Sequence, residues 1–229
     1  MFESQRTPEP EVMDDLGEVE AYSSAAAQIY LNKIDDTFVA HALRLVKRRE
    51  RGRALDIGSG PGQIVLKLAR SLTRWKFVAV DRSSHMIAEA VANLAAAGPE
   101  LAGRVEFQIA DANALPYPDA TFDLVTCNSV LHHMAEPERL LAEIARLVKP
   151  RGAVLLRDLR RPNRLSHGWH VRRHGRHYAG KMRELYEASV RAAYIAPELQ
   201  KLMESARLTG VRVFNQPSTH IGVERSLSE

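Results

Sequence analysis

The sequence predicts a doubly wound α/β fold, a parallel sheet with helices on both faces that ends in an antiparallel hairpin. Three observations carry this. Short apolar runs alternate with stretches of helical periodicity, the first run ends in a cluster of glycines, and two strand-like runs lie close together at the C-terminus.

The elements follow in order. From Ala21 to Glu50 the apolar residues recur at three- and four-residue steps, which predicts one or two amphipathic helices. Arg53 to Ile57 is a short apolar run ending at glycines, and Gln63 to Ser71 (QIVLKLARS) has helical spacing, so strand, tight turn and helix succeed one another. Lys76 to Val80, Val105 to Ile109 and Phe122 to Cys127 are further strands, with an alanine-rich helix over Ser84 to Ala97. Glu138 to Val148 is a helix closed by Lys149, Pro150 and Gly152, and Ala153 to Arg157 is the strand that it returns to. Helices are expected near Lys181 to Tyr194 and Pro197 to Leu208, and a hairpin from Val211 to Asn215 and Thr219 to Val223.

A chain of 229 residues, 45% hydrophobic and 26% charged, suits one soluble domain. The expected division is an acidic arm and N-terminal helical lid over 1–50, then one domain over 51–229 with a basic cover insertion at about 160–194. Glu3, Glu9, Glu11, Asp14, Asp15, Glu18 and Glu20 face only Arg6 in the first twenty residues, so the arm is expected to be loosely ordered. No apolar run approaches the roughly 18–20 residues that cross a bilayer, and the N-terminus lacks a basic start followed by an apolar stretch. A cytoplasmic protein without membrane insertion is expected. The single cysteine, Cys127, excludes an internal disulfide and a multi-cysteine zinc site, and it reads as a buried small hydrophobe.

The turn LDIGSGPGQ decides the ligand. A dinucleotide fold carries G-x-G-x-x-G with a helix N-terminus facing a pyrophosphate. Here that third glycine would fall on Gln63 or Val65, and the pattern present is Asp56-x-Gly58-x-Gly60-x-Gly62. A carboxylate beside a pyrophosphate is repelled, whereas beside an ammonium group it gains a charge-assisted hydrogen bond. S-adenosylmethionine carries an ammonium and a sulfonium, so Asp56 favours that ligand; the bland alternative is an aspartate that caps the turn. Asp81, with Arg82 beside it, ends the second strand, where a carboxylate could accept both hydroxyls of a ribose. Asp111 could accept from an adenine amino group while the Ala112 backbone meets the ring edge. Met86 either packs on the adenine face or belongs to the core.

Together, Asp56 to Gly62, Asp81, IADANALPYPDATFDLV, NSVLHHM and LVKPRGAVLL resemble the class I S-adenosylmethionine-dependent methyltransferases. The likeness is closest to the broad group that includes the ubiquinone and menaquinone biosynthesis C-methyltransferases, and it covers roughly Arg53 to Leu159. It implies a Rossmann-like seven-stranded sheet with the last strand antiparallel, and S-adenosylhomocysteine as product. It implies that Asp56, Gly58, Ser59, Gly60 and Gly62 hold the methionine moiety, Asp81 the ribose, and Asp111 and Ala112 the adenine. Asn128 and Ser129 would then lie near the sulfonium.

Methyl transfer from a sulfonium is an in-line displacement that demands mainly alignment, and a base is needed only where the acceptor must lose a proton. His132 and His133 follow the fourth strand within one helical turn and are the candidate bases; each could equally be a packing or capping residue. No metal is expected, because adjacent residues on a helix point about 100° apart. The residues Asn128-Ser129-Val130-Leu131 replace the Asn-Pro-Pro-Tyr type of motif expected for methylation of a nucleic-acid amine. Arg157 to Lys181 holds seven arginines, one lysine and four histidines against Asp158 alone. This basic cover reads as a grip for an acidic or phosphorylated acceptor through Arg160, Arg161 or Arg173, with Arg157 and Tyr178 as further substrate candidates, as a nucleic-acid surface, or as a solvated loop. Tyr22 and Tyr30 are either acceptor-pocket or core residues. The expected partner is thus a small-molecule acceptor, with an RNA or protein methyltransferase and a non-catalytic cofactor-binding protein as alternatives. The oligomeric state is not legible.

Overall fold

The structure is a computed structural model that describes residues 5–9, 25–46, 49–216 and 219–228, with the backbone alone for 25–30. Helix α1 (Ala25–Val46) leads to β1 (Gly52–Ile57), α2 (Gln63–Ser71), β2 (Trp75–Asp81), α3 (Ser84–Ala97), the short α4 (Pro99–Ala102), β3 (Val105–Ile109) and β4 (Phe122–Asn128). A 3₁₀ turn (Leu131–His133), α5 (Pro137–Leu147) and β5 (Val148–Leu159) come next. Then follow α6 (His167–His174), a second 3₁₀ turn (Gly175–His177), α7 (Gly180–Ala192), α8 (Ala196–Ser205), β6 (Arg212–Gln216) and β7 (His220–Arg225).

The strands form one seven-stranded sheet in the order β3-β2-β1-β4-β5-β7-β6. β1 pairs in parallel with β2 on one side and β4 on the other, so the connections wind outward in both directions from this seam. A crevice opens there, beyond the carboxyl ends of the strands. β7 runs antiparallel to both β5 and β6. The antiparallel strand of the terminal hairpin therefore sits one place in from the edge, which β6 occupies.

Alternate residues of the inner strands face opposite layers. Leu55 and Ile57 pack with Val78, Val125, Cys127 and Leu156 under Leu140, Leu141 and Ile144 of α5 and Leu199 and Met203 of α8. Ala54 faces the other layer with Phe77, Ala79, Leu124 and Leu155, under Phe38, Val39, Ala42 and Leu45 of α1 and Val65 and Leu68 of α2. Because both faces are covered, these strands read in sequence as unbroken apolar runs. Cys127 is buried as expected, and burial pushes its thiol well above the usual range.

The region expected to be a lid is in large part core. The second half of α1 is one layer of the sheet packing, and only its first turns reach the crevice through Leu31, Ile34 and Asp35. Helix α6 has no sequence signal because HGWHVRRH is basic almost all round, with Val171 and His170 as its buried residues. β5 begins at Val148 rather than Ala153, since Val148 pairs with Phe122 ahead of an irregularity in the ladder.

Candidate functional site

Strand β1 runs into a glycine loop in which Gly58 and Gly60 adopt φ of +66° and +52°. A Cβ on Gly60 would meet nothing within 4 Å, so the loop turns bare backbone toward a cavity of about 250 Å³ at the strand ends. Gly62 differs. It lies off the cavity wall, has φ of +82°, and a Cβ there would come 2.5 Å from Phe107 Cζ. The ligand-binding role expected for Gly62 is thereby corrected to close packing of the loop against β3 and α3.

Asp81 reaches the same wall. Its Oδ2 accepts from the Gly60 N–H at 2.8 Å and its Oδ1 from the Ser83 N–H at 2.9 Å, so the loop and the start of α3 fix its direction. A carboxylate has about four lone-pair sites and can also accept from a ligand hydroxyl. Asp56 is buried in an adjoining recess with Gly58, Ser59, Gly60 and Asn128, and accepts from Thr126 Oγ1–H at 2.7 Å. Burial, and then the charges of Asp35 and Asp81, push it up to about 7 against the effect of the Thr126 bond. Asp35, on α1, lines both cavity and recess, and burial pushes it up to about 6. Three carboxylates thus surround one glycine loop, an arrangement that repels an anion and favours a cation among them.

Arg82, Met86, Asp111 and Ala112 line this side of the cavity. Asp111 Oδ1 accepts from the N–H and Nδ2 of Asn113, at 2.9 and 3.0 Å. The Oδ1 of Asn113 on the wall and the Oγ of Ser59 in the recess are both buried without a hydrogen-bond partner among the described residues. The pocket therefore keeps unused polar atoms next to its carboxylates, which fits a ligand with amino and hydroxyl groups.

Beyond the seam, Ser129 takes a left-handed φ of +58°, held by its N–H on the Arg157 carbonyl at 2.8 Å. Such a backbone, uncommon outside glycine, turns the chain sharply into the 3₁₀ turn that carries His132 and His133. Asp158, at the end of β5, accepts from His132 twice, at Oδ2 from the backbone N–H (3.0 Å) and at Oδ1 from ring Nδ1 (2.5 Å). Only Nε2 is then left to face outward, 3.2 Å from Glu9 Oε1. Burial depresses the His132 pKa, but the charge and hydrogen bond of Asp158, with the charge of Glu9, outweigh it and hold the ring above its ordinary value. Asp158 is held low by the same pairing in spite of its burial.

Residues 5–9 do not form the loose arm expected of them. Arg6 donates to the carbonyls of Ala192 (2.7 Å) and His132 (3.0 Å) and lies over the Tyr194 ring, the Thr7 N–H reaches Arg191 O, and Ser189 Oγ–H donates to Glu9 at 3.1 Å. Glu9 is thereby pinned between the 3₁₀ turn and α7, with His133 Nδ1 at 3.0 Å. The divergence expected of neighbouring histidines fails here, because on the 3₁₀ turn the two rings lie 4.1 Å apart. Imidazole–carboxylate hydrogen bonds account for the cluster.

The basic cover divides. Arg157 is 2% exposed and lines no part of the cavity; its Nε donates to Asn128 Oδ1 and its Nη1 to Ile34 O and Thr37 Oγ1, and it stacks on Phe38. The acceptor role expected for it is corrected to a tie between α1 and the strand ends. Arg161 is buried against Ala193 O and Glu198, and Arg160 and Arg161 line a separate groove. Tyr178 does line the cavity, with Met182, Leu185, Tyr186 and Ser189 of α7. Tyr22 and the Tyr30 side chain lie outside the described residues. His220 also faces the cavity, pushed down to about 3 by burial and by Arg157. Asp35, Asn113, Asp158, Glu9 and His220 are the site residues that sequence reasoning missed.

Residues 55–156 match the family model described as a methyltransferase domain. A ubiquinone/menaquinone biosynthesis C-methyltransferase from Geobacter sulfurreducens is 32% identical over 130 residues, covering 56% of this chain and 50% of that protein. The chain spans about half the length of the curated relatives it matches. Among solved structures, a SAM-dependent methyltransferase from Aquifex aeolicus gives a TM-score of 0.61 at 20% identity, covering 94% of this chain and 95% of that one. A [4+2]-cyclase gives 0.64 at 22% identity, covering 93% and 76%. Likeness at this level establishes the fold, and the cyclase illustrates that one fold hosts more than one reaction.

Proposed function

We propose that this chain, whose residues 55–156 match a methyltransferase domain model, is a class I methyltransferase that transfers a methyl group from S-adenosylmethionine to a small-molecule acceptor that carries an ionisable O–H or C–H. The observation that carries the reading is one cavity with Asp81 and Asp35 by the glycine loop and the His132–Asp158 pair across the seam. When bound, the cofactor supplies a methyl group already activated by its sulfonium charge. Asp56 and Asp35 would face its ammonium, Asp81 its ribose hydroxyls, and Asp111, Ala112 and Asn113 its adenine, with Met86 against the ring. No metal enters the scheme.

Leu159, Met134, Met182, Leu185 and Tyr178 give the acceptor side apolar walls, with His132, His133, His220, Glu9, Ser189 and Thr219 among its polar groups. A hydroxylated aromatic ring matches that lining. His132 is the proposed base. Asp158 fixes its tautomer, so a neutral Nε2 can take a proton from the acceptor while Asp158 stabilises the imidazolium. With Glu9 against Nε2 the ring must carry a proton there to bond it, so the acceptor's acidic group competes with Glu9 for His132. Two of the seven basic-segment arginines, Arg157 and Arg161, are buried in structural bonds, which weakens the nucleic-acid reading. Among the described residues no helix is long and apolar enough to cross a membrane, and a cytoplasmic enzyme is the reading adopted.

Calorimetry tests the cofactor half. The carboxylate at Asp56 ionises near 7 and that at Asp35 near 6, so both lose their charge as the pH falls through these values. Affinity for cationic S-adenosylmethionine is expected to weaken steadily from about pH 8 to about pH 5. Constant affinity over that span would remove the two carboxylates from the ligand.

A further inference from the structure

Among the described residues the exposed large hydrophobic side chains are Val91, Ile109, Leu165 and Trp169. Val91 and Ile109 lie on different elements, α3 and β3, whereas Leu165 and Trp169 stand four residues apart at the start of α6, 76% and 56% exposed. That step is one helical turn, and Arg172, Arg173 and Arg176 continue the same stripe at three, four and seven residues beyond Trp169. All three are exposed, as is Arg164 just ahead of the helix. The opposite stripe turns inward, with His170 and Val171 buried. Arg173 lies over the Trp169 ring and Arg176 Nε donates to His177 Nε2, and among the described residues none of the four arginines pairs with a carboxylate. The outward face of α6 is thus an apolar pair framed by permanent positive charge.

We propose that this face docks on the surface of an anionic phospholipid bilayer, without crossing it. Leu165 and Trp169 would enter the headgroup region, where the apolar body and the N–H of a tryptophan are both accommodated. The four arginines would keep their guanidiniums at the level of the lipid phosphates, and this charge complementarity selects an anionic bilayer over a neutral one. A nucleic acid would use the same charges and stack on Trp169, but it would leave Leu165 in water, so the bilayer accounts for more of the face. Val171, on the inner stripe, shares a core cluster with Tyr178 and Tyr186, which line the methyl-transfer cavity. Docking would therefore bring that wall of the cavity close to the bilayer. The docking itself stands whether or not the methyl-transfer reading holds.

Trp169 provides the readout, since the chain has two tryptophans and the other, Trp75, is fully buried in the core. The full chain is titrated with phosphatidylcholine vesicles, with and without phosphatidylglycerol, and binding is followed by Trp169 emission and by cosedimentation. A saturable blue shift with cosedimentation is expected only where phosphatidylglycerol is present, and added salt is expected to weaken it. Arg172→Gln and Arg173→Gln are each expected to weaken the midpoint about five-fold, and Leu165→Ser about ten-fold. All three side chains are exposed, so their replacement leaves the core intact. Equal binding to phosphatidylcholine alone, no binding to either vesicle, or binding indifferent to these substitutions would overturn the proposal. So would saturable quenching of Trp169 by a single-stranded oligonucleotide with no response to vesicles, which would assign the face to nucleic acid.

Discussion

Replacing Asp81 by Ala is expected to weaken S-adenosylmethionine binding roughly a hundred- to ten-thousand-fold. Two bonds, from the Gly60 and Ser83 N–H groups, already orient the carboxylate. Removing it takes away two charge-assisted bonds to the ribose, each worth about 1.5–3 kcal/mol, and releases the glycine loop from its anchor. Calorimetry on a variant of unchanged thermal stability reads the effect. Affinity within about threefold of the parent would mean that the ribose does not lie on Asp81.

The second large effect belongs to His132. His132→Ala is expected to lower turnover by about 10²–10⁴ while cofactor affinity stays unchanged, as for loss of a general base. The sign of the pH dependence follows from the cluster. Asp158 and Glu9 hold the imidazolium, so activity is low below the raised pKa of His132 and rises as the pH passes it. In Glu9→Gln one of the two negative charges is gone, and the acid limb of the kcat/KM profile is expected to move to lower pH. His220, held neutral by its burial, gives no such limb near neutral pH. Full turnover in His132→Ala would remove the base from the account, and an unmoved limb in Glu9→Gln would remove Glu9 from contact with it.

Much of the fold was legible because its signals are local. Strands buried on both faces read as apolar runs, and the turn after β1 needs glycine at Gly58 and Gly60 for conformation and at Gly62 for packing. Asp56 and Asp81 were legible because they sit at the ends of such strands. Asp35 was not, since Asp35 and Asp36 are adjacent acids on one helix and only packing sends the first inward and the second to Lys67. Asp158 read as the lone acid of a basic run. Its role arises from the register that sets the end of β5 beside the 3₁₀ turn, and no sequence period encodes that. Glu9 lay in an acidic stretch of disordered composition, and its position depends on Arg6 reaching backbone carbonyls over 120 residues away. The basic segment misled for a related reason: charge on a sequence does not tell a buried tie such as Arg157 from a surface group such as Arg173.

The central claim is that the chain consumes S-adenosylmethionine rather than merely holding it. The most direct measurement is release of S-adenosylhomocysteine, with mass detection of the methylated product, on incubation with a panel of hydroxylated aromatic acceptors. Methylated product is expected in equal amount to S-adenosylhomocysteine for at least one acceptor, and is expected to be lost in His132→Ala while cofactor binding persists. Tight cofactor binding with no S-adenosylhomocysteine formed across the panel would contradict it and favour a non-catalytic binding protein.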